Sequence, residues 1–185
     1  MNAAARAEPD DLAPPRPAFA DIYRGHFRLV WSTLARLGVR PAELEDATQE
    51  VFVIVHRRLD DYDPARPIRP WLLGITYRVA TAERRRARHR REQLCDDHRL
   101  DGVDRATPEA EAIARRRAIL IHRALDTLDP ERRAVFVMHE MEAIGCPEIA
   151  EAFGIPLNTV YSRLRVARER FRRAWEALRA EGGTP

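Results

Sequence analysis

Pro147-Glu148-Ile149-Ala150-Glu151-Ala152-Phe153-Gly154-Ile155-Pro156-Leu157-Asn158-Thr159-Val160-Tyr161-Ser162-Arg163-Leu164-Arg165 reads as a short helix, a glycine turn and a second helix. Pro147 suits the first turn of the short helix, and Ile149, Ala150 and Phe153 give it an apolar face. Gly154 stands where a chain leaving a helix needs positive φ, and Ile155 closes the turn. In the second helix Leu157, Val160, Leu164, Ala167 and Phe171 recur at three- and four-residue steps. Asn158, Tyr161, Ser162, Arg165, Arg168 and Glu169 then fall on the opposite side. One face packs and the other fits a major groove, which is the helix-turn-helix arrangement. An ordinary helical hairpin with a solvated outer face satisfies the same loose pattern, so the rest of the chain has to decide.

The chain has 185 residues, room for one ordinary domain or two small ones, and its 45% apolar content is enough for compact helical cores. No stretch approaches the roughly 18 apolar residues of a membrane span, and no basic segment followed by an apolar run opens the sequence. A cytoplasmic protein without membrane insertion is expected. All 32 basic residues are arginine, a bias that GC-rich coding also produces. The net charge of +3 does not by itself demand nucleic acid, but its distribution is uneven. Arg84, Arg85, Arg86, Arg88, Arg90 and Arg91 form one cluster, and Arg163, Arg165, Arg168, Arg170, Arg172 and Arg173 form another. Cys95 and Cys146 match no CxxC spacing and the histidines are scattered, so neither a metal site, a cofactor nor a structural disulfide is expected.

The periodicity predicts an all-α chain. Residues 1–17 carry no apolar period and read as a disordered tail. A helix is expected from Phe19 to Leu37, ending near Gly38, and a second opens at Pro41. The second has an inner stripe of Leu44, Ala47, Val51, Ile54, Val55 and Leu59 and an outer one of Asp46, Glu50, Val53 and Arg57. Valine among charges on an outer face suits either a contact surface or a solvated face with one stray apolar residue. Asp60 to Pro70 holds three prolines and is expected to be an irregular loop, followed by helix from Trp71 to about Arg91. Residues 92–108 are acidic and aperiodic and read as a flexible interdomain linker. Thr107-Pro108 and Asp129-Pro130 are start signals for two further helices, leading into the helix-turn-helix and a long arginine-rich terminal helix.

With both halves in view, the chain resembles an extracytoplasmic-function (group IV) sigma factor of the sigma-70 family, the promoter-specificity subunits of bacterial RNA polymerase. The likeness covers about residues 18–91 and 109–177. It rests on Asp46-Ala47-Thr48-Gln49-Glu50-Val51-Phe52 and Arg69-Pro70-Trp71-Leu72-Leu73-Gly74-Ile75 in the first half. In the second it rests on Leu128-Asp129-Pro130-Glu131-Arg132-Arg133-Ala134-Val135-Phe136, Glu148-Ile149-Ala150-Glu151 and Thr159-Val160-Tyr161-Ser162-Arg163-Leu164.

The resemblance implies a region 2 domain over 18–91 and a region 4 domain over 109–180. Asp46, Gln49, Glu50 and Val53 would dock on the clamp helices of the largest subunit of core polymerase, and the family also touches the polymerase flap. The minus-10 element would be read as single-stranded DNA with a flipped base by Tyr62, Trp71, Tyr77, Arg78, Arg84, Arg85 and Arg86. With apolar Leu72 and Leu73 beside it, Trp71 fits a core or pocket-wall place better than direct base stacking. Many members have Asn where this chain has Arg78 and Asp where it has Ala82, which leaves the base read there open. The minus-35 element would be read as duplex by Asn158, Thr159, Tyr161, Ser162 and Arg165, with Arg163 and Arg168 placed for phosphates. Tyr161 stands where members often have Lys or Arg, and suits a thymine methyl or a phosphate. The acidic linker is either a nucleic-acid mimic or a plain tether. An anti-sigma partner is also implied. The rival reading is a helix-turn-helix repressor or response-regulator output domain, which gives no reason for the Asp46 to Phe52 motif; a small nuclease stands further off, because the sequence has no paired carboxylates plus histidine at metal spacing.

Overall fold

The computed structural model describes residues 16–91 and 108–181, and all regular structure among them is helical. The expected tail, save its last two residues, and the expected linker, save Pro108, lie outside the described residues, and Cys95 lies there too. Two helical domains result. The first comprises α1 (Phe19–Arg36), α2 (Leu44–Arg57) and α3 (Ile68–Arg91). The second comprises α4 (Pro108–Asp126), α5 (Pro130–Phe136), α6 (Cys146–Phe153) and α7 (Leu157–Glu181).

Glycine ends α1 as the sequence demands. Gly38 has φ 88°, and the Val39 amide reaches back to the Leu34 carbonyl at 3.1 Å, closing the turn over the helix end. Pro41–Glu43 is a 3₁₀ turn leading into α2, where Leu44, Ala47, Val51 and Val55 are buried and Asp46, Gln49 and Val53 are exposed. Phe52 is buried as well, against the aromatic rings of α1.

The loop expected over Asp60 to Pro70 is shorter than that. Leu59–Asp61 forms a 3₁₀ turn and α3 begins at Ile68, so Pro70 lies in the first helical turn. The three-proline signal misled because the first turn is where a helix needs no amide donor and tolerates proline. Leu72, Leu73, Ile75 and Val79 then bury one side of α3.

In the second domain Asp129 caps α5, its side chain accepting the Arg132 amide at 3.1 Å. The helix then widens into a π turn, Val137–Met141, where the Glu142 amide bonds the Val137 carbonyl at 3.1 Å. Ala143 follows with φ 56°, a strained conformation for a residue with a β-carbon. Between α6 and α7, Gly154 has φ 65° and the Ile155 amide bonds the Ala150 carbonyl at 3.1 Å. In α7 Val160, Leu164 and Ala167 are buried, but Leu157, expected on the inner stripe, is exposed because its turn lies beyond the core.

The two domains share one continuous core and meet along a seam where α3 packs on α6. An added β-carbon on Gly74 of α3 would lie 3.2 Å from the Ala152 β-carbon, so the missing side chain is what lets these helices approach.

Candidate nucleic-acid and polymerase interfaces

The exposed side of α7 carries the residues expected to read duplex DNA. Asn158, Tyr161, Ser162 and Arg165 are all open to solvent, Tyr161 with 51% of its surface exposed, and Thr159 is half-buried. The arginines divide by partner. Arg163 is half-buried in an ion pair with Glu131, and Arg168 bonds Glu140 at 2.7 Å. Arg165 is exposed and has no carboxylate partner among the described residues. Contact of Arg163 or Arg168 with phosphate therefore exchanges one anion for another, while contact by Arg165 does not.

On α2, Asp46, Gln49 and Val53 are exposed and line up along one face, with Val53 46% exposed. Glu50 is half-exposed and bonds Arg86 of α3 at 3.2 Å. Beside them lies a shallow cavity of about 400 Å³ lined by Phe19, Tyr23, Gln49, Phe52, Val53 and His56. The sequence reading missed Tyr23 and Trp31, both exposed rings that extend this apolar strip along α1 through Phe27. Their four-residue spacing, Tyr23, Phe27, Trp31, was the available signal; it was hidden because core-facing and outer aromatics alternate on one helix.

The residues expected at the minus-10 element are not brought together as one surface. Tyr62 is buried beneath Trp71, ring centroids 5.1 Å apart, and its hydroxyl donates to the Arg66 carbonyl. Burial, and then Asp63, push its phenol above the ordinary value. Tyr77 is half-buried, its ring stacked 3.8 Å from that of Phe153 on the other domain. Arg78 and Arg85 are exposed. Arg86 is tied to Glu50 and Glu83, and Arg84 turns inward and donates to the Leu37 carbonyl at 3.2 Å.

Polar contacts hold the seam that covers Tyr77. Glu142, only 4% exposed, accepts from the Thr33 hydroxyl at 3.0 Å and from Arg36 at 2.7 Å, with Arg69 at 3.5 Å. Arg66 grips Glu151 with two bonds of 2.8 Å, and those bonds hold the Glu151 carboxyl below its usual range. Arg133 is 4% exposed, donating to the Arg36 carbonyl and, at 2.6 Å, to Asp126. None of this network was legible in the sequence. Cys146 starts α6 and is buried, its Sγ 3.9 Å from His139 Nδ1, and no cluster of three metal-ligating side chains occurs among the described residues.

Comparison with known proteins agrees with these two halves. The "Sigma-70 region 2" family model matches residues 22–90, and "Sigma-70, region 4" matches residues 118–171. The ECF RNA polymerase sigma factor SigE of Mycolicibacterium smegmatis is 34% identical over 159 residues, covering 84% of this chain, which spans 61% of that relative's length. The ECF RNA polymerase sigma factor SigL of Mycobacterium tuberculosis is 32% identical, covering 79% of this chain and 82% of SigL. Among solved structures, the sigma factor RpoE in complex with the anti-sigma factor NepR from Bartonella quintana shares the fold, with TM-score 0.68, 16% identity and coverage of 87% and 98% of the two chains. No helix among the described residues is long and apolar enough to cross a membrane. Two region models in order and relatives matched across both halves place the chain in its family: it belongs to the extracytoplasmic-function group of sigma-70-type RNA polymerase sigma factors.

Proposed function

We propose that the protein binds core RNA polymerase in the cytoplasm, directs it to a bipartite promoter and helps open the minus-10 region, with no catalytic step of its own. Residues 18–91 act as the polymerase-docking and melting domain and residues 109–180 as the minus-35 reader. The observation that carries this reading is the pairing of two outward faces in one chain: Asp46, Gln49, Glu50 and Val53 on α2, and Asn158, Tyr161, Ser162 and Arg165 on α7. Carboxylates beside an exposed valine and aromatic rings suit a basic, partly apolar protein surface, here the polymerase clamp helices. The arginine-lined helix suits a major groove, with Arg165 donating to a guanine edge and Arg163 and Arg168 steadying phosphates.

Minus-10 recognition falls first to Arg78, Arg85 and Trp71. Tyr77 becomes available to a displaced strand when α6 leaves α3, and Arg84 when α4 and α5 withdraw with it, so promoter engagement proceeds with separation of the two domains. A protein partner of the anti-sigma kind, as in the RpoE and NepR complex, fits the same apolar strip on α1 and α2. The test is reconstitution: the protein added to core polymerase yields promoter-dependent transcripts from genomic fragments. Reversing Asp46 and Glu50 to arginine abolishes polymerase binding while duplex affinity stays unchanged. Specific duplex binding with no polymerase binding by the wild type would favour a repressor and end the proposal.

A further inference from the structure

At the seam, where the end of α1 meets α3, α4 and α5, lies a cavity of about 970 Å³. That is large enough for a small ligand, and clefts between domains are where ligands commonly bind. Its wall carries five arginines against three carboxylates, with His122 between them. The carboxylates are already engaged: Asp126 by Arg133, Asp129 by Arg132, and Glu131 by Arg163. Among the arginines, Arg133 pairs with Asp126 and Arg40 with Glu43, whereas Arg84 and Arg85 have no ion pair among the described residues. Arg84 is half-buried, donates only to the Leu37 carbonyl, and has no carboxylate partner among the described residues. Burial first, and then the neighbouring Arg133, push the Arg84 guanidinium below its ordinary value, against a smaller opposing pull from Asp126, which is itself bonded to Arg133.

A half-buried guanidinium that lacks a counter-ion is costly unless something supplies one. Its five N–H donors in a planar fork match phosphate oxygens, and a second guanidinium, Arg133 of the other domain, lines the same wall with its Nη2 uncommitted among the described residues, its Nε and Nη1 being taken by the Arg36 carbonyl and Asp126. We propose that the seam cavity binds a small phosphate-bearing anion of the pyrophosphate type, clasped by Arg84 of α3 and Arg133 of α5. Exposed Arg85 adds a further positive charge to the lining, whereas Arg40 is held by Glu43. Because the two principal arginines belong to different domains, an anion held by both favours the closed seam by mass action.

The experiment is calorimetric titration of the full chain with inorganic pyrophosphate, alongside sulfate and a nucleoside triphosphate. Pyrophosphate is expected to bind saturably at one site per chain and to raise the unfolding temperature. Tighter binding of the triphosphate places the natural source among nucleotides, and equal binding places it in the phosphate chain alone. Arg84→Gln is expected to weaken pyrophosphate at least about tenfold, whereas Arg24→Gln, an exposed position on α1 outside the cavity lining, leaves it unchanged. Thr81→Glu, which adds a carboxylate to the cavity wall without removing an ion pair, is expected to abolish binding. No saturable heat up to about 5 mM pyrophosphate overturns the proposal, as does equal weakening by Arg84→Gln and Arg24→Gln.

Discussion

Replacing Glu142 by alanine tests whether a buried carboxylate holds the two domains together. All three of its partners, Thr33, Arg36 and Arg69, belong to the first domain, so the loss falls on the seam rather than on the second domain's own core. Thr33 is fully buried, and leaving its hydroxyl without an acceptor costs about 1–3 kcal/mol. The arginine side chains are 35% and 51% exposed, so solvent screens them and each lost ion pair counts for only about 0.2–1 kcal/mol. The seam should thus weaken by about 1.5–5 kcal/mol, shifting the closed-to-open ratio by about tenfold to a few thousand-fold. Small-angle scattering reads the change directly as a larger radius of gyration. Urea unfolding, followed in parallel, should lose its single transition as the domains uncouple. Glu142→Gln keeps an acceptor for Thr33 and should lie between the variant and the wild type. An unchanged scattering profile together with an unchanged unfolding midpoint for Glu142→Ala would refute the assignment of Glu142 as the tie.

Asp129→Ala removes the cap of α5 and should lower stability by about 1 kcal/mol, read by chemical denaturation, while Asp129→Asn retains most of it. Burial, and then Arg133, hold His122 below the ordinary imidazole value of 6.5, so the folded state resists protonation that the unfolded chain accepts. Stability should therefore be full above about pH 6.5 and decline as pH falls from there toward the lower folded value, and His122→Gln should flatten that segment of the pH profile. Gly154→Ala should cost about 1–2 kcal/mol from φ 65° alone, since an added β-carbon meets nothing within 4 Å; a denaturation midpoint equal to the wild type's would contradict this. On promoter DNA, Arg165→Gln should relax base preference at one minus-35 position by about 1–3 kcal/mol, whereas Arg168→Gln should weaken all sequences alike and reduce the salt slope; a binding-site selection at two salt concentrations separates the two.

Much of the secondary structure was legible because helices announce themselves locally. Gly38 and Gly154 end helices where only positive φ closes the turn, and Asp129 begins one where only a short acceptor reaches the N3 amide. The start of α3 was misplaced, because proline signals a break and a first helical turn equally well. The π turn at Val137–Met141 had no local signature, and it ends one residue before Glu142, whose carboxylate accepts from Thr33 on the other domain.

The sequence by itself determined the helices, the two families of outward residues on α2 and α7, and the division into two halves, because apolar period and capping act within a few residues. Only the tertiary structure decided which of those residues are free to act. It buried Tyr62, stacked Tyr77 on Phe153, paired Arg163 and Arg168 with carboxylates, left Arg165 open and turned Arg84 into a seam cavity. The physical reason is that an arginine's role depends on the charges around it, and those charges come from helices distant in the chain.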